Sequence, residues 1–172
     1  MLHSDIALTA VGVTVPLLLI MVSIENIFAA GAAVLAGRQL GSGDQEEASR
    51  TVTTIIGISV VIGITLCIGG IIFIEPLMRA FGASEASLPL AKDYAFWMFV
   101  AALANLPAQS MNCAARAESS VKISSVAVIT GALLNVVLDP IFMFDWGLNM
   151  GVEGASLATT VSQFVTFFIL VW

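Results

Sequence analysis

Long apolar runs alternate with short polar segments along this chain. Four runs contain no Asp, Glu, Lys or Arg and are about as long as the 20 residues that a bilayer-crossing helix needs: 6–24, 51–74, 94–115 and 154–172. A fifth run, 123–138, is shorter and crosses a bilayer only together with its flanking residues. With Asp44 and Glu47 marking a helix N-terminus before the second run, the pattern predicts five transmembrane helices, over about 7–36, 50–74, 94–115, 121–144 and 154–172.

Composition supports an all-α polytopic membrane bundle. The chain is 59% hydrophobic and 10% charged, with a mean hydropathy of +1.02, whereas soluble domains are roughly 45–50% apolar and about 25% charged. The net charge of −6, with six scattered basic residues, excludes a nucleic-acid partner. Two cysteines in separate apolar runs give no disulfide scaffold. The predicted surroundings are therefore the lipid bilayer.

Basic residues favour one orientation. The loops after the first and third spans carry Arg38, Arg50, Arg116 and Lys122, and the opposite face carries Arg79 and Lys92. Cytoplasmic loops hold the excess of Lys and Arg, so the start of the chain is predicted to lie outside. The aromatic residues Tyr94, Trp97 and Trp146 then fall near the outer interface. A bacterial cytoplasmic membrane is the expected location.

The fourth span carries the sharpest polar group. Asn135 and Asp139 are four residues apart, hence on one helix face, and Pro140 leaves the carbonyl of Val136 without its helical partner. Three oxygen sources on one turn suit a hard cation such as Na⁺, and a desolvated carboxylate could instead take up a proton. The alternative is that Asp139 simply reaches water at the outer end of its span.

The third span carries a polar stripe of Asn105, Gln109, Asn112 and Arg116, spaced by four, three and four residues. Such a stripe predicts either the wall of a water-filled or substrate-lined cavity or hydrogen bonds that join helices. Both interpretations place it inside the bundle.

Two further spans hold polar residues. Glu25 lies near the middle of the first span, where a carboxylate must be neutralised, paired or hydrated. It is either a proton or cation site, or a protonated acid bonded to a neighbouring helix. In the last span Thr159 and Gln163 share a face, with Ser156 and Thr160 nearby; singly, such residues mostly bond to their own backbone or join helices.

The sequence predicts no enzyme and no cofactor. The one histidine, His3, has neither a Ser-His-Asp nor a Cys-His set around it, and no cluster has metal-ligand spacing. The segment Gly41-Ser42-Gly43 lacks the Lys and Ser or Thr of a phosphate loop and is a turn. No metal is expected beyond a possible Na⁺ at Asn135, Asp139 and Thr159.

Several segments together resemble the multidrug and toxic compound extrusion (MATE) family of secondary transporters. They are the segments 7–12, 37–44, 81–84, 135–144 (Asn-Val-Val-Leu-Asp-Pro-Ile-Phe-Met-Phe) and 151–159 (Gly-Val-Glu-Gly-Ala-Ser-Leu-Ala-Thr). The Asn-x-x-x-Asp-Pro segment with the following Gly-x-x-Gly-Ala is the most specific. The resemblance covers essentially the whole chain.

The resemblance implies a part of a twelve-helix, two-lobe antiporter that expels cationic or amphipathic compounds in exchange for Na⁺ or H⁺. The chain would match the second to sixth helices of the amino-terminal lobe, so the partners would include the missing first helix and second lobe. In the family, an Asn and an Asp of the fifth helix and a threonine of the sixth contribute to ion binding. Their counterparts here are Asn135, Asp139 and Thr159, with Thr160 as the alternative.

Competing interpretations remain at this point. Both ends look cut, which favours part of a larger protein over a complete small membrane subunit or scaffold. A lipid-linked-sugar flippase of related fold would show more basic residues along its cavity, whereas only Arg116 touches the polar stripe. A membrane enzyme lacks the residues for its chemistry.

Overall fold

The protein is a bundle of antiparallel helices. The structure, a computed structural model, describes residues 2–117, 121–144 and 147–172. Six helices are found there: α1 (Leu2–Gly41), α2 (Gln45–Ile72), α3 (Ile74–Ala80), α4 (Leu88–Ala117), α5 (Val121–Met143) and α6 (Val152–Val171). The all-helical prediction is confirmed. Four of the predicted spans lie within one helix to within one residue, whereas the second, 50–74, runs past the end of α2 at Ile72 and reaches the first residue of α3. Trp146 lies outside the described residues.

Local signals in the sequence explain where two helices begin. The Asp44 side chain accepts a hydrogen bond of 3.0 Å from the backbone N–H of Glu47, which confirms the predicted start of α2. The short helix α3 was not predicted, because its region contains Pro and Gly punctuation. Pro76 lies in its first turn, where a missing N–H costs no hydrogen bond, so the proline does not prevent the helix.

Helix α4 is the centre of the bundle and packs against all five other helices. Its buried face consists of Ala91, Ala95, Phe99, Ala102 and Leu106. Among the described residues, four helices are long and apolar enough to cross a membrane, namely α1 from Ile6, α2, α5 and α6. The third predicted span lies in α4, which is not among these four helices. The polar stripe makes α4 less hydrophobic than the others.

The outer surface of the bundle is apolar. Leu8, Ile27 and Val136 are 68% exposed or more. In a soluble protein such a surface would mark an interaction site. Here it is the surface expected to contact lipid, and the helical form of each long segment pairs most of its backbone groups internally, as the bilayer requires.

Helix α2 approaches α4 closely through a face of small residues. Ser59, Gly63, Cys67 and Gly70 are all buried along this face. A Cβ on Gly63 would lie 2.9 Å from the carbonyl oxygen of Ala102. Small residues at these positions therefore allow the close approach of α2 to α4.

Helix α5 packs along α6 and touches α4 only lightly. Gly131 permits the α5–α6 approach, because a Cβ there would collide with the hydroxyl of Thr166. The weak α4–α5 contact leaves a space between α5 and the centre of the bundle, and this space is the candidate site.

An ion-pair cluster ties α3 to the start of α4. The Glu75 carboxylate accepts hydrogen bonds from Lys92 (3.0 Å) and Arg79 (3.2 Å), and Arg79 also donates to Glu85 at 2.6 Å. The bond from Lys92, followed by those from Arg79, lowers the pKa of Glu75 below its usual value. These side chains are 36–83% exposed, so the stabilisation is small.

This cluster predicts a pH-dependent effect of Glu75→Gln. A carboxyl whose pKa is lowered in the folded state stabilises it above the unfolded-state pKa, and loses that contribution as the pH falls through the folded-state pKa. The variant should therefore unfold at a slightly lower temperature than the parent at pH 7, and at the same temperature in strong acid. Thermal unfolding in detergent at the two pH values measures this. A difference that grows on acidification would contradict it.

Candidate functional site

A cavity of about 540 Å³ lies between α1, α4, α5 and α6. It brings together candidate polar residues from four helices that are far apart in the sequence. Those that line it are Glu25, Asn105, Gln109, Asn112, Arg116, Asn135, Thr159 and Gln163. Asp139, the remaining candidate, does not line the cavity, but it accepts a hydrogen bond from Asn135, which does.

Asn135 links the two helices α5 and α6 at the edge of the cavity. Its amide Nδ2 donates to the Asp139 carboxylate and to the Thr159 hydroxyl, both at 3.3 Å. The Thr159 hydroxyl uses its own proton for the carbonyl of Ala155, at 3.0 Å, so its oxygen is free to accept from Asn135. One amide, one carboxylate and one hydroxyl therefore lie within one hydrogen-bonded group.

The two adjacent threonines of α6 face different directions. Thr159 is exposed in the cavity, whereas Thr160 is buried. The Thr160 hydroxyl shares its proton between two backbone carbonyls, that of Trp97 on α4 at 2.9 Å and that of Ser156 on α6 at 2.8 Å. Only Thr159 contacts Asn135. The geometry thus separates the two threonines that the sequence left as alternatives.

Glu25 is buried on α1, with 8% of its surface exposed. Its Oε1 accepts a hydrogen bond of 2.6 Å from the amide of Asn105 on α4. The partner could not be identified from sequence, because 80 residues separate the two. The first member of the polar stripe is therefore bonded to the one carboxylate of α1 that lines the cavity.

The rest of the stripe fits both of its sequence-based interpretations. Gln109 lines the cavity and accepts from Asn112 at 3.4 Å. Asn112 also accepts a hydrogen bond from Ser124 of α5, so it joins two helices as well. Arg116 lines the end of the cavity nearest the α4–α5 connection, where its Nε donates to the carbonyl of Asn112.

Sequence reasoning missed several residues around this site. Ser124 gave no signal, because a single serine near a helix start is common. Trp97 was predicted at the membrane interface, and its Nε1 donates to Glu153 of α6 at 3.0 Å, which fixes α6 beside α4. Ser162 and Thr166 line the cavity but donate to backbone carbonyls one turn earlier, so their hydroxyl protons are occupied.

Within the described residues, no three His, Cys, Asp or Glu side chains lie together as a metal site. The group around Asn135 contains an amide, a carboxylate and a hydroxyl, which are the types of oxygen donor that hard cations bind.

Comparison with known proteins decides the family. The MatE family model matches residues 1–141. The chain belongs to the MatE family. Its members are transporters rather than enzymes, and the chain is a multi-pass membrane protein of this fold.

Two curated relatives illustrate the range of the family. An FAD transporter of Shewanella oneidensis is 32% identical over 161 residues, which are 92% of this chain and 36% of the relative. The multidrug export protein MepA of Staphylococcus aureus is 28% identical over 165 residues, 95% of this chain and 36% of the relative. The chain thus spans about a third of the length of these relatives.

Solved structures agree with the fold in two conformations. An inward-facing multidrug resistance MATE transporter matches with a TM-score of 0.89 and 29% identity, over 96% of this chain and 37% of that one. The outward-facing conformation matches with a TM-score of 0.88 and 29% identity, over 95% and 36%. The bundle is therefore similar to the matching part of transporters in both conformations.

Proposed function

We propose that the chain forms most of one lobe of a secondary antiporter that exports cationic or amphipathic compounds in exchange for Na⁺ or H⁺. The observation that carries this proposal is the group formed by Asn135, Asp139 and Thr159 at the edge of the cavity. A cavity of about 540 Å³ is within the range that holds a drug-sized molecule. Asn135 and Thr159 belong both to the proposed ion site and to the cavity wall, so an ion bound there would act directly on the cavity.

The coupling ion would bind where the Asn135 amide now bridges two oxygens. A half-turn of that amide exchanges Nδ2 for Oδ1, which would direct three oxygens, from Asn135, Asp139 and Thr159, toward one point. Such a set suits Na⁺, and a proton on Asp139 would be held by the same neighbours. No other cofactor is required.

Export would require the remainder of the transporter. Secondary transporters bind near the membrane midplane between repeats and rock one repeat against the other. Because the chain spans 36% of its relatives, we expect a further helix and a second lobe to complete the pathway. The likeness to both inward-facing and outward-facing structures supports a lobe that moves as one body. We place the start of the chain outside a bacterial cytoplasmic membrane, as its basic residues favour.

Proteoliposomes that contain the full-length transporter test this function. An imposed Na⁺ or pH gradient should drive accumulation of ethidium, and collapse of the gradient should stop it. Accumulation that depends on neither gradient would contradict the antiport proposal.

The adjacent threonines provide a matched pair for the same assay. Thr159→Val removes a hydroxyl oxygen from the proposed ion site, so it should raise the ion concentration needed for half-maximal transport severalfold. Thr160→Val removes the bond to Trp97, so it should leave that concentration unchanged and lower thermal stability slightly, by about 0.6 kcal/mol for a typical interhelical hydrogen bond. Equal ion dependence in the two variants would contradict the assignment of Thr159.

Two anionic cargoes are alternatives to a cationic one. The FAD transporter relative raises the first, and Arg116 at the cavity end could meet a phosphate. A lipid-linked sugar would also carry phosphates. Among the described lining residues Arg116 is the one Lys or Arg, and buried Glu25 would repel both cargoes. Gradient-driven uptake of FAD, but not of ethidium, would favour the first alternative.

A further inference from the structure

A cavity of about 550 Å³ lies at the end of the bundle where α1 leads into α2. It shares no lining residue with the polar cavity of the candidate site. Its charged residues, three acids and one cation, are Asp44, Glu46, Glu47 and Arg50. We call it the α1–α2 cavity.

The opposite charges of the α1–α2 cavity do not pair with each other. Arg50 takes part in none of the ion pairs formed by the described residues, although Glu46 lies one helical turn before it. In the cluster around α3, by contrast, Arg79 closes on Glu75 at 3.2 Å and on Glu85 at 2.6 Å. The α1–α2 cavity therefore keeps a guanidinium and carboxylates available to a ligand that carries both charges.

One hydroxyl of this cavity has a proton that the described residues leave unused. The Thr51 oxygen accepts a hydrogen bond of 2.9 Å from the amide of Gln39, but its own proton has no acceptor among them. Thr54, which also lines the cavity, donates to the carbonyl of Arg50 at 2.8 Å. An anion held by Arg50 can thus accept a second hydrogen bond from Thr51, the next residue along α2.

The α1–α2 cavity spans the boundary between hydrocarbon and headgroups. Its apolar residues are Leu35, near the end of the predicted first span, and Ile55, within the uncharged run that Thr51 begins. Its charged residues lie on the other side of that boundary. A ligand here would hold a charged head outside the hydrocarbon and an apolar body against the lipid-facing helices, which is the arrangement of a membrane phospholipid.

We propose that the α1–α2 cavity binds phosphatidylethanolamine through its headgroup. The lipid phosphate accepts hydrogen bonds from the Arg50 guanidinium, whose fork matches phosphate oxygens, and from the Thr51 hydroxyl. The ammonium, with three N–H donors like that of lysine, bonds to the carboxylates of Glu46 and Glu47. The acyl chains begin at Leu35. In the proposed orientation this lipid belongs to the cytoplasmic leaflet.

The charges of the cavity favour this headgroup over the other common ones. An anionic headgroup without an ammonium would be repelled by three carboxylates that face a single arginine. The trimethylated ammonium of phosphatidylcholine has the charge but no N–H to donate. Asp44 is partly occupied, because it accepts the backbone N–H of Glu47 at 3.0 Å, so Glu46 and Glu47 provide the recognition.

Native mass spectrometry of the purified full-length transporter tests the proposal, with dioleoyl phospholipids that differ only in headgroup. The first bound phosphatidylethanolamine should have a dissociation constant at least roughly fivefold below those of phosphatidylcholine and phosphatidylglycerol. An equal constant for phosphatidylcholine would overturn recognition of the ammonium N–H groups. An equal constant for phosphatidylglycerol would overturn the role of the carboxylates.

Charge variants locate this preference in the α1–α2 cavity. Arg50→Gln should raise the dissociation constant of phosphatidylethanolamine at least roughly fivefold. Arg38→Gln is the matched control, because Arg38 is exposed at the end of α1 and outside the cavity lining, and it should stay within twofold of the parent. Glu46→Gln combined with Glu47→Gln should abolish the preference over phosphatidylcholine. Parent-like constants in the cavity variants would overturn the proposal, whether lipid binds elsewhere or the rest of the transporter covers the cavity.

A last variant leaves every charge in place. Leu35→Trp fills the apolar end of the cavity, so it should also weaken phosphatidylethanolamine binding at least roughly fivefold. Leu35 is 43% exposed, so the larger ring is not forced into the core of the bundle. Unchanged binding by Leu35→Trp, or equal competition by dissolved glycerophosphoethanolamine, would overturn the placement of the acyl chains. These outcomes do not depend on the antiport function, which the gradient assay tests separately.

Discussion

Asp139→Asn in the full-length transporter should reduce ion-coupled efflux to the level of cells without the transporter. The amide keeps the shape of the carboxylate but carries no charge and cannot be protonated at neutral pH. A hydrogen bond to a charged group contributes about 1.5–3 kcal/mol, and each 1.4 kcal/mol is a factor of ten in affinity. The ion site should therefore weaken at least tenfold, while the protein is still produced in normal amounts.

The measurement is ethidium efflux from bacteria that lack their own drug pumps, with membrane protein levels checked by immunoblot. Asp93→Asn is the matched control, because it makes the same change at an exposed position at the start of α4, outside the cavity. Efflux by Asp139→Asn at the rate of the parent would exclude the coupling role. A loss of both efflux and membrane protein would contradict the expectation that the variant folds, and would show that Asp139 is needed for the structure of the bundle.

The sequence predicted the long helices well because the bilayer imposes a simple length and polarity rule on them. It missed α3, since a helix of seven residues that contains Pro76 is too short to show a period. The polar stripe placed one face of α4 inside the bundle, but it could not show which helices α4 contacts or that α4 is central. Only the packing of α1, α2 and α6 around α4 shows this.

In the candidate site, too, local contacts could be predicted from the sequence and contacts between distant residues could not. Asn135 and Asp139 were found because they are one turn apart on a single helix, and local spacing is enough for such a pair. The bond between Glu25 and Asn105 joins residues 80 positions apart and depends on how α1 lies against α4. Helical periodicity alone could not separate Thr159 from Thr160, because the choice depends on which side of α6 faces α5.

The second large effect concerns packing. Gly63→Ala should destabilise the bundle by about 1–3 kcal/mol, the usual cost of adding a methyl group to a filled interior. The new Cβ would lie 2.9 Å from the Ala102 carbonyl oxygen and 3.4 Å from the Leu103 Cα, and both are backbone atoms that cannot rotate away. Helix α2 would have to move outward from α4, which would also loosen its contacts through Ser59 and Gly70.

Gly57→Ala is the control on the same helix, because its Cβ would meet nothing within 4 Å. Alanine favours a helix over glycine by about 1 kcal/mol in soluble proteins, so this variant should unfold at the parent's temperature or slightly above it. Thermal unfolding of both variants in detergent, followed by size-exclusion chromatography, measures the difference. Equal midpoints for the two would mean that α2 and α4 can separate at no cost. Close packing of small residues would then not be what holds α2 to the centre of the bundle.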